Sequence, residues 1–513
     1  MEREQASTAD HTGTGLFQDQ IYERSGSSNE VAAAPSGTGA GNVRAMPKPK
    51  RIILLLDGTW NDAEFGTHDT NIVRLREIIS RSLALRRTPL RSGAGAGPEE
   101  AGKASVGHTQ PDADGINHLV YYLRGVGTGA GLDRFKGGGL GRGLDRNVRR
   151  AYKFLSFHYA PGDEVFVFGF SRGAYTARSL VGFIASAGLL KREHCTPEQE
   201  ELAWSYYRTP PDDRSPGIWH ALGPYMHERD HEPDKFRIDC LGVFDTVGAL
   251  GVPLTLLRRL NRQLYEFHNV ELPSITKKNL HAIAIDEHRH PFQAAVWRQH
   301  KFKRLSPKMT EQVWFTGDHA DIGGGHLDIE ARKDPNATAL DDIALDWMLK
   351  RVTYHFSAFP FEPSAWKVIG AAVVRAPQHD LRRGGYRILP RNHRSIANQK
   401  VARLDRSKFG RSEVNEGYER HEMPADEMVH ISALERLGHC VECQGRISPY
   451  APPALTGVLT TIESTYREGG EGMQPECRIL VVDWTGEPLD PADREHRGRM
   501  RALVQSARQR LGV

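Results

Sequence analysis

The sequence predicts an α/β fold, α/β-hydrolase-like, with a mainly parallel sheet and helices on both faces. Three observations carry this. Apolar runs such as Arg51-Ile52-Ile53-Leu54-Leu55-Leu56 and Glu164-Val165-Phe166-Val167-Phe168-Gly169-Phe170 are bounded by turn residues, as strands buried on both faces are. Stretches with helical spacing lie between them. Strands that alternate with helices in this way form parallel sheets joined by crossovers.

Residues 1–47 are rich in Gly, Ser, Ala and Thr and have no apolar periodicity, so a disordered tail is expected. The run 51–56 is the first strand and breaks at Asp57-Gly58-Thr59. Thr70 caps a helix through about Leu85, with Ile72, Val73, Leu75, Ile78 and Ile79 on one side. Residues 86–115 read as a flexible insertion without an element of their own. A strand follows over His118–Leu123. The glycine-rich stretch 137–143 lacks the order of a phosphate-binding loop and reads as a pliable rim. Val148, Tyr152 and Leu155 mark a helix from Leu144 to His158.

Glu164 to Phe170 is the clearest strand, and a helix from about Gly173 to Leu189 follows it. Further strands are expected at Phe236–Phe244 and Gln312–Phe315, and a helix at Leu340–Phe356. Beyond residue 360 the pattern weakens, with a late strand at Arg478–Val482 and a charged helix at Ala492–Leu511. The expected division is therefore a catalytic unit over 48–360 and a C-terminal extension over 361–513 that packs on or caps it.

Composition narrows the function. The 513 residues carry 68 Lys+Arg against 64 Asp+Glu, a net +4, with no basic stripe of the kind a nucleic-acid binder presents. Five cysteines, at 195, 240, 440, 443 and 477, are too few and too odd in number for a disulfide framework. Cys440 and Cys443 form a CxxC without the second pair a zinc ribbon needs. No apolar run reaches the roughly 20 residues of a membrane helix, and the N-terminus lacks a signal peptide. A cytoplasmic protein is expected, unless a signal-independent secretion system exports it. No cofactor is expected.

The chemistry is expected at Ser171. A serine hydroxyl needs a base to take its proton, and that base needs a group to orient it. The nucleophile of an α/β-hydrolase also sits on a sharp strand-to-helix turn that tolerates only small neighbours, hence G-x-S-x-G. Gly169-Phe170-Ser171-Arg172-Gly173 has this pattern, after a buried strand and before an Ala/Leu-rich helix. The acid and the histidine should follow in that order at strand ends. Asp245 ends the 236–244 strand and His319 follows the 312–315 strand, where ligands bind in open α/β sheets. The bland alternatives are a capping serine, an Asp in a local turn and a surface histidine.

His326, after Gly323-Gly324-Gly325, is the rival base, and Asp286 the rival acid. The segment Asp286-Glu287-His288-Arg289-His290 lacks HExxH spacing, so no metal is assigned. The oxyanion hole is expected from the Arg172 N–H and from Gly58 or Thr59.

These pieces resemble a known family. The matching residues are Leu56-Asp57-Gly58-Thr59-Trp60-Asn61, Thr70-Asn71-Ile72, Gly125-Val126-Gly127-Thr128, Gly169 to Tyr175, Phe244-Asp245-Thr246-Val247-Gly248, Ile285-Asp286-Glu287 with Pro291-Phe292, and Trp314 to Gly325. A weaker match continues at Val429-His430-Ile431-Ser432 and Tyr450-Ala451-Pro452-Pro453. The chain is similar, over about 50 to 350, to the bacterial and fungal α/β-hydrolase family that includes the catalytic domain of type VI secretion lipase effectors of the first class. The resemblance implies ester hydrolysis, with phospholipid substrates in the effector branch, and places the triad on Ser171, Asp245 and His319. A local basic face leaves room for transient membrane-surface contact, and the reading leaves room for an immunity or secretion partner.

Two other readings stand beside this one. One is a catalytically silent binding module on the same scaffold. The other is an esterase for soluble or polymer esters. Leu254, Leu256 and Leu257 beside Arg258 and Arg259 read as an interfacial patch or, preferably, as an ordinary amphipathic helix.

Overall fold

The computed structural model describes residues 49–58, 68–92, 104–125, 139–210, 213–228, 236–247, 275–289, 292–300, 309–328, 338–367, 369, 371–382, 391, 393–398, 422–424, 427–473 and 478–513. The expected tail over 1–47, Thr59, the Leu254–Arg259 patch and Cys477 lie outside the described residues.

Ten strands form the main sheet. They are β1 (Lys50–Leu56), β2 (Arg91–Ser92), β3 (Ala104–His108), β4 (Asn117–Leu123), β5 (Glu164–Phe170), β6 (Ile238–Phe244), β7 (Thr276–Ala284), β8 (Thr310–Phe315), β9 (Glu427–His430) and β10 (Leu480–Val482). Their order across the sheet is β10-β9-β8-β7-β6-β5-β1-β4-β3-β2. The eight strands from β10 to β4 run parallel. At the other edge, β3 and β2 are antiparallel.

Alternating residues of each strand serve opposite faces. On one face Ile52, Leu54, Leu56, Val165 and Val167 pack with α2 (Gly139–His158), α3 (Arg172–Ala187) and α4 (Pro197–Arg208). On the other, Ile53, Leu55, Phe166 and Phe168 pack with α1 (Asn71–Leu85) and α6 (Leu340–His355), the short α5 (His319–Gly323) lying between these two in sequence. Each fully buried Leu, Ile or Phe contributes about 1.5–3 kcal/mol.

A third cluster joins Ile283, Trp314, Val429 and Val481 of the sheet to Leu434 on α7 (Ile431–Arg436) and to Met500 and Val504 on α8 (Arg494–Leu511). Sequence after residue 360 thus supplies two parallel strands of the main sheet. No described helix is long and apolar enough to cross a membrane.

Most elements lie where the sequence puts them. Thr70 is the N-cap of α1 and accepts from the Val73 N–H. Several regions differ, among them α4, β9 and α7, which the sequence does not announce. Residues 86–115 hold β2 and β3, because the edge of a sheet accepts sequences with little apolar content of their own. Helix α2 begins at Gly139, inside the glycine-rich run. Strand β7 was not visible in the sequence because its first four residues, Thr276 to Asn279, are polar. Its polar side chains find partners in the sheet: Lys278 Nζ meets Glu311 Oε1 at 2.9 Å, and the His281 ring lies 3.3 Å from Gln312 Oε1.

The strand order creates the crevice. From β1 the chain moves to β4 on one side and then to β5 on the other, so the connections diverge at the C-terminal ends of β1 and β5, the usual binding position in open α/β sheets.

Candidate active site

Ser171 lies between β5 and α3, at φ 56° and ψ −121°. A non-glycine residue there carries about 1–3 kcal/mol of strain, held by its surroundings. The Ser171 N–H donates to the Phe244 carbonyl at 3.2 Å, and its own carbonyl accepts from the Tyr175 N–H at 3.1 Å. The flanking glycines answer a steric demand. A Cβ on Gly169 would lie 2.6 Å from the Gly173 carbonyl oxygen, and one on Gly173 would fall on the Leu56 carbonyl oxygen. The elbow is thus packed against the end of β1.

The structure brings Ser171, His319 and Asp245 together. Ser171 Oγ is 2.8 Å from His319 Nε2, and His319 Nδ1 is 2.6 Å from Asp245 Oδ2. All three are buried, and Ser171 keeps 8% of its surface exposed. Asp245 also has a positive φ, 36°. Burial pushes its carboxyl up, but the Arg394 guanidinium and His319 outweigh this and hold it below the usual carboxylate range. An ionised Asp245 can only accept, so Nδ1 carries the proton. The Nε2 lone pair then accepts from the serine hydroxyl. Phe170 and Phe292 flank the imidazole, with ring centroids 4.8 and 5.4 Å away.

His319 opens the five-residue α5. Asp318 caps this helix, accepting from the Ala320 and Asp321 amides at 3.0 Å, and the Asp318 N–H donates in turn to Asp321 Oδ2.

The rivals point elsewhere. His326 Nε2 lies 3.0 Å from Asp318 Oδ1. Asp286 accepts from the Gly317 N–H at 2.8 Å and the Tyr450 hydroxyl at 2.9 Å, which pins the turn before His319. Burial pushes its carboxyl up to about 7.

Arg172 is the first residue of α3, so its amide sits at the positive end of the helix. Gly58 lies against the nucleophile, since a Cβ there would be 3.4 Å from Ser171 Cβ. Its N–H, expected to face an oxyanion, donates instead to Asp57 Oδ1 at 2.7 Å. Asp57 also accepts from Thr70 Oγ1 at 2.9 Å and the Tyr122 hydroxyl at 2.8 Å, tying the turn after β1 to α1 and β4.

Arg394 escaped the sequence reading. It is fully buried, and its Nη1 and Nη2 donate to Asp245 Oδ1 and Oδ2 at 2.6 and 3.1 Å. The same nitrogens reach the Ala284 and Phe292 carbonyls at 2.8 and 2.7 Å. The Ala284 N–H donates to Asp245 Oδ1 at 2.9 Å. No motif surrounds Arg394, and 149 residues separate it from its carboxylate.

The sheet and the elbow define an α/β-hydrolase-like protein. Residues 50–351 match the family described as the catalytic domain of Tle1-like phospholipase effectors of the type VI secretion system, and the chain belongs to that family. It is 27% identical over 293 residues to an uncharacterised protein of Saccharomyces cerevisiae, a match covering 53% of this chain and 35% of the yeast protein. Among solved structures it is similar to an uncharacterised protein from Pseudomonas aeruginosa, at 16% identity and a TM-score of 0.33, covering 63% of this chain and 48% of the other. A second is the Tle1 effector bound to the VgrG spike of the type 6 secretion system, at 21% identity and a TM-score of 0.27, covering 57% and 56%. The chain therefore spans about a third to somewhat over half the length of these relatives.

Proposed function

We propose that the chain is a serine ester hydrolase that cleaves acyl esters of phospholipids through Ser171, His319 and Asp245. The observation that carries this reading is the hydrogen-bonded series from Ser171 Oγ to His319 and on to an ionised Asp245.

In the proposed reaction Ser171 Oγ attacks the acyl carbonyl while its proton moves to His319 Nε2. Asp245 holds the imidazole and stabilises its charged form. The Arg172 N–H, at the start of α3, faces the developing oxyanion. Gly58, packed against Ser171, forms the adjoining wall. Its amide serves as a second donor only by exchanging Asp57 for the substrate oxygen. The tetrahedral species collapses as Nε2 protonates the leaving alcohol, and water then releases the fatty acid by the same route in reverse.

Membership of a phospholipase effector family supports a lipid substrate met at a membrane surface, and delivery by a type VI secretion partner. We propose that residues 48–360 form the catalytic unit and that 361–513 complete it. Arg394 on Asp245 and Tyr450 on Asp286 support that role.

The test is fatty-acid release from mixed phospholipid vesicles by wild type and Ser171→Ala. Release should fall at least about 10³-fold in a folded variant. Equal release by both sinks the mechanism. Cleavage of soluble esters alone, lost in the variant, keeps the hydrolase and removes the lipid.

A further inference from the structure

We propose that Asp318, Asp321, His326 and His379 form a binding site for one divalent transition-metal ion, of the Zn²⁺ class, directly behind the helix that carries His319. The ligand atoms of Asp321, His326 and His379 converge, and Asp318 adjoins them through His326. His326 Nε2 is 3.0 Å from Asp318 Oδ1 and 3.8 Å from Asp321 Oδ1, and His379 Nδ1 is 2.7 Å from Asp321 Oδ1. One atom each from Asp321, His326 and His379 lies within 4.8 Å of the others. A tetrahedral ion with bonds of about 2.0–2.2 Å sets its ligands roughly 3.3–3.6 Å apart, within the span of these distances. Two imidazoles with carboxylate oxygens suit zinc and its neighbours better than calcium or magnesium, which take oxygen almost exclusively.

A second observation is independent of this spacing. Asp318 is 1% exposed, yet its Oδ2 has no hydrogen-bond partner among the described residues. A carboxylate oxygen buried without a partner is costly, and a cation is the partner it lacks. Charge points the same way. Asp318 and Asp321 are both buried, so two carboxylates adjoin each other away from water. Arg289 and Arg436 lend these carboxylates some positive charge from nearby; Arg289 pairs with Glu287, and Arg436 Nη1 donates to the Val374 and Ala376 carbonyls.

The histidine rings stack, with centroids 3.6 Å apart and planes at 15°. Ring lone pairs lie in the ring plane, so parallel rings cannot both aim at one ion. Capture therefore unstacks them, and the ion takes the place of the protons that now bridge each imidazole to its carboxylate. His379, with 28% of its side chain exposed, is the ring able to turn. The occupied site would clamp residues 318–326, His319 among them, to the segment carrying His379. Spacing gives no sign of the site, because 58 residues separate Asp321 from His379.

The test uses the full chain, stripped with chelator and titrated with Zn²⁺ by calorimetry at pH 7.5 and 6. The expected result is one ion per chain, with affinity at least about tenfold lower at pH 6, since protons compete for the imidazoles. His379→Ala and His326→Ala should each weaken binding at least about tenfold, and the double variant Cys440→Ser/Cys443→Ser should leave it unchanged. Should a histidine variant fail to fold, zinc-edge anomalous scattering from wild-type crystals decides by the position of the peak. No saturable binding overturns the proposal and leaves two hydrogen-bonded His–Asp pairs. Binding that survives both folded histidine variants, or that disappears with the cysteines, also overturns it.

Discussion

Replacing Arg394 with methionine keeps most of the side-chain volume and removes the charge. Asp245 then loses donors at 2.6 and 3.1 Å and keeps the Ala284 N–H and His319. The Ala284 and Phe292 carbonyls each lose a donor as well. Removing one partner of a buried ion pair costs about 3–5 kcal/mol, because the remaining charge stays buried. The carbonyl losses overlap with this figure and are not added to it. A destabilisation of about 4 kcal/mol corresponds to roughly 4 °C in thermal midpoint for a unit of about 500 residues.

The pH dependence has a definite sign. Asp245 is held below its ordinary value, so its contribution is present above the unfolded value and is lost as pH falls through the folded one. Without Arg394 the folded value rises. The deficit of Arg394→Met is therefore full at pH 7 and shrinks toward acid. Activity should fall about 10- to 100-fold, less than the roughly 10⁴-fold expected when a triad carboxylate itself is lost. The acid limb of kcat/KM should move to higher pH. Thermal unfolding by circular dichroism and a pH–rate profile measure both effects. A midpoint and acid limb indistinguishable from wild type would refute the assignment of Arg394 to Asp245.

Two further outcomes follow from the same geometry. Gly173→Ala would place a Cβ on the Leu56 carbonyl oxygen, backbone that cannot yield without moving β1, so a loss of at least about 3 kcal/mol is expected in thermal unfolding. An unchanged midpoint would mean the elbow is looser than described. Asp286→Asn concerns a carboxyl raised to about 7 by burial, so in wild type it favours folding when protonated and loses that contribution as pH climbs from about 4 to 7. The variant, which cannot ionise, should gain on wild type across that window, by up to about 4 kcal/mol. A constant difference between the two across the window would show that Asp286 does not titrate there.

Much of this was legible in the sequence, for identifiable reasons. Strand β5 and its elbow declare themselves because a strand buried on both faces must be apolar, and the turn after it tolerates only glycine two positions to either side of the serine. Asp245 and His319 are found because a parallel sheet puts strand ends on one side, so sequence order becomes spatial proximity. Arg394 and His379 were not legible. Each reaches the site from a segment without periodic pattern, and nothing local in the chain requires the long-range contact. Strand β7 was hidden because Lys278, Asn279 and His281 look exposed until the neighbouring strand supplies Glu311, Thr310 and Gln312. Gly58 was assigned by its place after β1, and sequence could not show that Asp57 takes its amide.

The proposed reaction depends above all on Ser171 as the nucleophile. Purified protein treated with a fluorophosphonate should carry one covalent phosphonyl group, mapped by peptide mass spectrometry to Ser171, and the labelling should be lost in a folded His319→Ala variant. A folded wild type that takes no label, or takes it at another serine, would contradict the account.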